Sequence, residues 1–317
     1  MQLSARMPDL MALEVLLAVA RKGSLSAASR ECGLTQQAIS ARIAALERQT
    51  GVRLVTRTKT GSRLTSSGVL AAQWADRLLD VAHEVDAGLA TLRDNSKTQL
   101  RITASLTVAE QLLPRWLVSW REAVTRQGGP APDLILTAAN SEHVLAAVRG
   151  DHADLGFIES RGAPRGLRSS VVAHDELVVV VPPGHTWARR SRPIAPEELA
   201  ATPLVTREQG SGTREFLASV LKGVAGAEQV RPALELSSAA AVRAAVLADA
   251  GPAVLSRLAV ADDLQLGRLR AVDVTGLDLR RALRAVWLGT RTPPAGAARD
   301  LLSHIASVCK GSPRHAP

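Results

Sequence analysis

The chain has 317 residues, 46% of them hydrophobic and 22% charged, which predicts about two folded domains and excludes wholesale disorder. Its two cysteines lie far apart, no signal-peptide core begins the chain, and no apolar run reaches about 18 residues. We therefore expect a cytoplasmic protein with no disulfide framework and no membrane span. The net charge of +9 is concentrated in residues 1–65, which hold 10 Lys and Arg against 4 Asp and Glu. Nucleic acid is therefore the leading expected partner, and membrane lipid is the weaker alternative.

Three helices are predicted within the first 50 residues. The first ends near Gly23, and the second begins at Ser24 or Ser26 and is ended by Gly33, which suits the left-handed backbone of a tight helix–helix turn. Thr35 caps the third helix. Two short helices joined by a glycine turn predict a helix-turn-helix within a DNA-binding domain spanning residues 1–65. The inner face of the third helix is formed by Ile39, Ile43 and Leu46.

The outer face of the third helix carries groups that can read DNA. Glutamine amides can donate to and accept from adenine, and a serine hydroxyl can bond a base or a phosphate. Two β-prone runs around the tip 59–61 predict a basic hairpin wing, whose charges suit phosphates. The alternative for each of these side chains is an ordinary solvated face. The predicted DNA-contacting residues are Thr35, Gln36, Gln37, Ser40, Arg42, Arg57, Lys59 and Arg63.

A long helix is predicted over residues 66–95. Apolar residues recur at intervals of three and four along it, as in one strand of a coiled coil. Pairing with a second subunit is the favoured interpretation, and packing on the helix's own domain is the alternative. The stripe is formed by Leu70, Trp74, Leu78, Val81, Val85, Leu89 and Leu92.

From residue 96 to 310 strand-like and helical runs alternate, with helices expected at about 106–127, 141–149, 196–201, 213–224, 239–249 and 295–309. This order predicts mainly parallel sheets with helices on both faces. Extended crossings near 173–176 and 267–270 divide the segment into two lobes around a cleft. Lobe I is expected at about 96–173 and 269–310, and lobe II at about 174–268.

Three loops precede helices at the carboxyl ends of predicted strands, where open α/β sheets bind ligands. The loop from Arg207 to Thr213 is the clearest, because two glycines, two hydroxyls and a helix amino end predict a cradle for a carboxylate or an inorganic oxyanion. A flexible loop with Thr213 as a plain helix cap is the alternative, and Ser237 with Ser238 forms either the opposite wall or another cap. The effector-site candidates from these loops are Ser105, Leu106, Thr107, Ser141, Arg207, Gly210, Ser211, Gly212, Thr213 and Ser237.

Catalysis finds no support in the sequence. The segment Gly210–Gly212 lacks the third glycine of a dinucleotide fingerprint and the lysine of a P-loop, and no Gly-x-Ser-x-Gly elbow occurs. None of the seven histidines belongs to a metal-binding or catalytic pattern. We therefore expect no catalytic residues, no metal and no cofactor.

The amino-terminal motifs resemble those of LysR-type transcriptional regulators. They are Gly-Ser-Leu-Ser-Ala-Ala at 23–28, Thr-Gln-Gln-Ala-Ile-Ser at 35–40, Ala-Leu-Glu at 45–47, Gly-Val-Arg-Leu at 51–54 and Arg-Leu-Thr at 63–65. The resemblance covers residues 8–306 and implies a winged helix-turn-helix, a linker helix and a two-lobed α/β effector domain of the periplasmic-binding-protein type. It also implies a homodimer or tetramer, a palindromic double-stranded DNA operator and a small effector between the lobes.

The resemblance also concerns individual positions. It implies effector contacts at Ser105, Thr107, Ser141 and Thr206. Ala41 occupies a recognition-helix position that is often Arg or Gln in this family, so one base or phosphate contact differs.

Two other functions fit parts of the sequence. A solute-binding sensor would share the two-lobed segment, but it would have no use for residues 8–65. A molybdate-type regulator would use both halves but would respond to an inorganic oxyanion rather than to a carboxylate.

Overall fold

The computed structural model divides into two compact units, Met1–Arg93 with Thr290–Thr292, and Asp94–Gly289 with Pro293–Pro317. Each unit has its own hydrophobic core. No helix in the part of the chain that the structure describes is long and apolar enough to cross a membrane. The described residues are 4, 6–58, 61–93, 99–128, 133–224, 229–293 and 295–311.

The first unit begins with three helices, as predicted. They are α1 (Leu10–Lys22), α2 (Leu25–Cys32) and α3 (Gln36–Thr50). Each starts at a side chain that accepts a hydrogen bond from a backbone amide, and each ends at a glycine with left-handed backbone, a conformation that costs other residues more. The starting residues are Asp9, Ser24 and Thr35, and the ending glycines are Gly23, Gly33 and Gly51.

A hairpin follows, formed by β1 (Val55–Thr58) and β2 (Gly61–Leu64). Its entry is fixed by Glu47 on α3, whose Oε1 accepts from the amides of Leu54 at 2.7 Å and Val55 at 2.9 Å. The amide of Ser62 donates to the carbonyl of Gly23 at 2.8 Å. The glutamate of the Ala-Leu-Glu motif therefore holds the wing against the recognition helix.

The long helix α4 (Ser66–Arg93) starts at Thr65, whose Oγ1 accepts from the amide of Gly68 at 2.9 Å. One face of α4 packs on α1 through Ala72, Ala75 and Leu79. The predicted apolar stripe lies on another face, where Trp74, for example, is 65% exposed. The side chain of Leu92 lies outside the described residues. The exposed stripe residues are Leu70, Trp74, Val81, Val85 and Leu89, while Leu78 is half-buried.

Lobe I of the second unit is a sheet with helices on its faces. Its strands follow the order β4, β3, β5, β11 and the first half of β6. Phe157 and Leu113 are among its fully buried side chains. Its elements are β3 (Gln99–Ser105), α5 (Leu106–Gln111), α6 (Leu113–Arg126), β4 (Asp133–Ala139), α7 (Ser141–Arg149), β5 (Leu155–Ser160), β11 (Arg280–Trp287) and α12 (Ala297–Gly311).

Lobe II continues the same sheet through the second half of β6, then β9, β7 and β8, with β10 paired to β6. A 3-10 helix (Thr186–Arg189) follows β6. The remaining elements are β6 (Arg168–Val181), α8 (Pro196–Ala201), β7 (Val205–Arg207), α9 (Gly212–Leu221), β8 (Leu234–Leu236), α10 (Ala239–Leu247), β9 (Ala253–Ser256), α11 (Arg257–Gln265) and β10 (Arg270–Val272).

The structure places the first crossing inside β6, whose residues up to Glu176 pair with β11 and whose residues from Leu177 pair with β9. The second predicted crossing, at 267–270, was wrong. Leu269 is buried in the lobe II core and β10 pairs with β6 there, so residues 269–279 belong to lobe II and the chain returns through β11. Short apolar segments on either side of the turn at Gly276 concealed this boundary.

Two helix predictions also need correction. The helix expected over 106–127 is interrupted at Leu112. Pro114 has no N–H to donate to the carbonyl of Glu110, so it stands in the first turn of a new helix, α6, rather than inside a continuous one. Helix α11 was missed. Its buried face includes Asp263, which pairs with Arg243 and Arg268, so the apolar periodicity that marks a helix is broken.

Candidate functional site

The recognition helix α3 presents its first turn outward. Gln36 and Gln37 are exposed, and Ser40 and Arg42 are half-exposed. Thr35 remains a cap, since its Oγ1 accepts from the amide of Ala38 at 3.2 Å. The predicted base-reading groups therefore lie together at the amino end of one helix, the arrangement that a helix-turn-helix brings to the major groove.

Gln36 is held in place by a residue that the sequence suggested only as a possible cap. The hydroxyl of Ser26 donates to Oε1 of Gln36 at 2.7 Å. This bond crosses the turn between α2 and α3 and orients the amide group, whose nitrogen is a donor for an adenine or guanine acceptor.

The wing supplies the basic residues. Arg63 on β2 is exposed and lies opposite Thr56, and the backbone of Arg57 on β1 lies opposite Ser62. The side chain of Arg57 and all of Lys59 lie outside the described residues.

A buried ionic cluster lies where the two lobes meet. Arg281 on β11 contacts Glu159 on β5, with 3.1 Å between Nη1 and Oε2, and Asp175 on β6, with 2.7 Å between Nη2 and Oδ2. None of the three side chains is more than 3% exposed. Charged groups are buried in this way only when they are paired, so the cluster is a specific feature of the fold.

Hydroxyl groups complete the cluster. Arg281 donates to Oγ1 of Thr213 at 3.1 Å and to Oγ1 of Thr107 at 3.4 Å. The hydroxyl of Ser256 donates to Oδ1 of Asp175 at 2.8 Å. The guanidinium thus joins groups from lobe I, lobe II and the two crossing strands.

The pKa values of the two carboxyl groups shift in opposite directions. Burial alone would raise the pKa of Glu159, but the charge of Arg281 and a bond from Thr107 lower it below its ordinary value. Burial raises the pKa of Asp175 above its ordinary value, and Arg281 offsets only part of that effect. The environment of Glu159 therefore stabilises a negative charge despite complete burial.

Several predicted effector residues meet at this cluster. Thr107, at the amino end of α5, and Thr213, at the amino end of α9, both bond Arg281. Ser141, at the amino end of α7, accepts from the amide of Glu159 at 3.5 Å. Ser105, next to Thr107, is 2% exposed.

The glycine loop before α9 is seated on lobe I. The carbonyl of Gly210 accepts from the amide of Glu142 at 3.3 Å, and the side-chain amide of Asn140 donates to the carbonyl of Gln209 at 3.5 Å. Gly210 has a φ of +82°, and a Cβ there would lie 2.5 Å from Oε2 of Glu142. The positive φ favours glycine at this position, and the carboxylate of Glu142 would have to move to make room for a larger residue. Ser211, the N-cap of α9, is buried within the same loop.

Other predicted effector residues lie apart from the ionic cluster. Thr206, whose buried Oγ1 has no partner among the described residues, lines a lobe II cavity of about 180 Å³. Arg207 lines the same cavity and pairs with Glu208 at 2.7 Å. Leu106 is half-buried at the start of α5, and Ser237 is exposed between β8 and α10.

Sequence reasoning missed Glu159, Asp175, Arg281 and Ser256. A signal was present, because three of them are charged residues inside strands that otherwise contain apolar runs. A charge at a position that the alternation predicts to be buried is itself a sign of a functional or structural ion pair. Among the described residues, no group of His, Cys, Asp and Glu is arranged to hold a metal.

Comparison with known proteins agrees with both halves of this description. Residues 10–69 match the family described as bacterial regulatory helix-turn-helix protein, lysR family, and residues 93–310 match the LysR substrate binding domain. The chain belongs to the LysR family of transcriptional regulators. It is therefore a DNA-binding regulator with an effector-binding domain, and the solute-binding alternative does not account for the matched helix-turn-helix.

Similar proteins share this organisation. An uncharacterized HTH-type transcriptional regulator of Mycobacterium bovis is 61% identical over 309 residues, which is 97% of this chain and 99% of that protein. A full-length OxyR variant of Pseudomonas aeruginosa has a similar fold, with a TM-score of 0.54 and 20% identity over 98% of this chain and 99% of that chain. Full-length CbnR in complex with its target DNA matches with a TM-score of 0.50 and 18% identity over 95% of this chain and 99% of that chain.

Proposed function

We propose that this LysR regulator binds a palindromic operator as a dimer or tetramer and responds to a small anionic effector held between its lobes. The DNA-reading part uses Gln36, Gln37 and Ser40 for bases, and the arginines of α3 and the wing for phosphates. The exposed stripe on α4 supplies the subunit contact. Two linked heads then read two half-sites, and the linkage strengthens binding beyond that of either head alone.

The observation that carries the anionic effector is the chemistry around Arg281. A fully buried guanidinium is surrounded by hydroxyls from Thr107 and Thr213, and the amino ends of α5, α7 and α9 converge on the same volume. Helix amino ends and backbone amides favour negative charge. A carboxylate or an oxyanion fits this environment when it takes the place of one of the two carboxylates that already pair with Arg281.

The test is a thermal-shift screen of the full chain with metabolites and inorganic anions. An anion that binds the cleft should stabilise the effector domain by about 2.7 kcal/mol at a concentration of a hundred times its Kd. Thr213→Val should remove that stabilisation, because it deletes a hydroxyl at the cluster. Thr125→Val, which makes the same change at an exposed hydroxyl on α6, is the matched control and should keep it. A strong stabilising compound that is cationic or neutral, or one that protects Thr213→Val as well as the wild type, would contradict the proposal.

A further inference from the structure

The anion position between the lobes is already filled by a side chain of the protein. Gly212 is the first residue of α9, and a Cβ built there would lie 2.7 Å from Oε2 of Glu159 and 2.6 Å from Oγ of Ser141. Thr213, the next residue, lies 3.5 Å from the same carboxylate oxygen. The carboxylate of lobe I is therefore placed at the amino end of a lobe II helix, where an external anion would bind.

A second observation indicates that the same volume is built for a ligand. The hydroxyl of Ser105 is buried and contributes to the low pKa of Glu159, yet it has no hydrogen-bond partner of ordinary geometry among the described residues. Buried hydroxyls without a partner are uncommon, because desolvation without a compensating bond costs free energy. A ligand oxygen placed near Ser105 would give this hydroxyl a hydrogen-bond partner, whereas the Glu159 carboxylate serves that purpose only in part.

We propose that Glu159 is an internal ligand: its carboxylate holds the two lobes together in the effector-free protein, and an effector anion binds only in exchange for it. This inference rests on the anionic effector proposed above and adds its regulation. The exchange follows from the charges present. Arg281 contributes one positive charge, while Glu159 and Asp175 contribute two negative charges within direct contact of it.

A third anion added to this cluster would meet strong repulsion in a medium of low polarity. Displacing the Glu159 carboxylate restores the original balance of one positive and two negative charges. The effector then makes the contacts to Thr213 and Arg281. An anion of different size and shape from a glutamate side chain would set a different spacing between α9 and β5. Such a difference in affinity for two lobe arrangements is what a switch requires.

The experiment compares the wild type with Glu159→Gln, which keeps the shape of the side chain and removes its charge. Glu110→Gln removes the same charge from an exposed position on α5 and is the control. Hydrogen exchange of the full chain reports lobe contact through the amide of Glu142, which bonds the carbonyl of Gly210. Calorimetric titration with acetate and with inorganic phosphate reports anion affinity.

We expect Glu159→Gln to speed exchange at Glu142 at least tenfold without any anion, and to lower the Kd for acetate or phosphate at least tenfold. The control should match the wild type in both. Unchanged exchange would show that Glu159 does not hold the lobes, and unchanged anion affinity would show that it does not compete.

The exchange measurement tests the role of Glu159 in holding the lobes, and the titration tests the anionic effector. If neither anion binds either protein, the choice of an anionic effector fails, while faster exchange still supports the role of Glu159 in closure. If Glu159→Gln does not fold, Glu159→Asp takes its place, because it withdraws the carboxylate by one methylene and keeps its charge. It should change exchange and anion affinity in the same direction but less. Wild-type exchange and affinity in that variant would overturn the inference.

Discussion

Replacing Arg281 tests the buried cluster most severely. Arg281→Met keeps an unbranched side chain of similar length but removes the guanidinium, leaving Glu159 and Asp175 without their counter-charge. Breaking a buried ion pair from one side costs about 3–5 kcal/mol. Because both carboxylates depend on one guanidinium and none of the three side chains is more than 3% exposed, we expect a loss in this range at neutral pH.

The pH dependence of that loss has a definite sign. The pKa of folded Glu159 is lowered in the wild type, so its contribution to stability is present above its ordinary pKa and is lost as pH falls through the folded value. Asp175 acts in the opposite sense, because its raised pKa means that the folded state gains stability as pH falls. Without Arg281 both carboxyl groups are expected to have raised pKa values. The difference in stability between variant and wild type should therefore shrink as pH falls through those raised pKa values.

Urea unfolding followed by tryptophan fluorescence measures this loss. Trp116, Trp120, Trp187 and Trp287 are buried in the effector domain, so its unfolding dominates the signal. Arg280→Met is the matched control, since the neighbouring arginine is exposed and pairs only at the surface with Asp278. The control should unfold at the wild-type midpoint. An Arg281→Met variant within about 1 kcal/mol of the wild type at pH 7 would refute the pairing of these three side chains, given the typical cost of a broken buried pair.

Three further predictions concern the DNA-binding half. Val85→Glu should place an unpaired charge in the subunit contact of α4 and weaken self-association at least a hundredfold in analytical ultracentrifugation. The control Gln73→Glu, at an exposed position, should not weaken it. Wild-type assembly of both variants would show that the stripe is not an interface. DNA affinity should fall with salt at a log–log slope of roughly −5 to −9 if about six to ten phosphates are neutralised, and a slope shallower than about −2 would argue against a duplex reader. Gln36→Ala should cost about 1–3 kcal/mol of binding free energy on the operator and little on random DNA. Ser26→Ala should reproduce part of that loss, because it frees the side-chain amide of Gln36. Equal losses on both DNAs would count against a base contact.

The sequence predicted the helix-turn-helix well because its determinants are local. A cap at Thr35, a left-handed glycine at Gly33 and apolar spacing on α3 each act within a few residues. The apolar stripe of α4 was predicted for the same reason, since its intervals of three and four lie within one helix, and five of its residues are exposed in the structure. The subunit that would cover the stripe stays a prediction.

The candidate effector site was predicted only in part, because the ionic cluster at its centre depends on residues that are distant in sequence. The hydroxyls of Thr107 and Thr213 follow strands and could be identified from loop position, but Glu159 and Arg281 are 122 residues apart and come together only when β5 pairs with β11. The loop predicted to bind an effector anion lies against the carboxylate of Glu159 through Gly212 and Thr213, and its binding of an effector stays a prediction. The lobe boundary was misplaced for a related reason, since strand pairing rather than local pattern assigns 269–279 to lobe II.

We propose that this chain reads a specific duplex through α3 and does so as a symmetric oligomer. Selection from a library of random duplexes by the purified full-length protein, followed by sequencing, measures this directly. The wild type should enrich an inverted repeat whose half-sites are separated by about one helical turn of DNA or a multiple of it. Gln36→Ala should lose or alter that preference while still retaining duplex DNA at low salt. Enrichment of no sequence by the wild type, or of an identical motif by both proteins, would contradict sequence reading through α3.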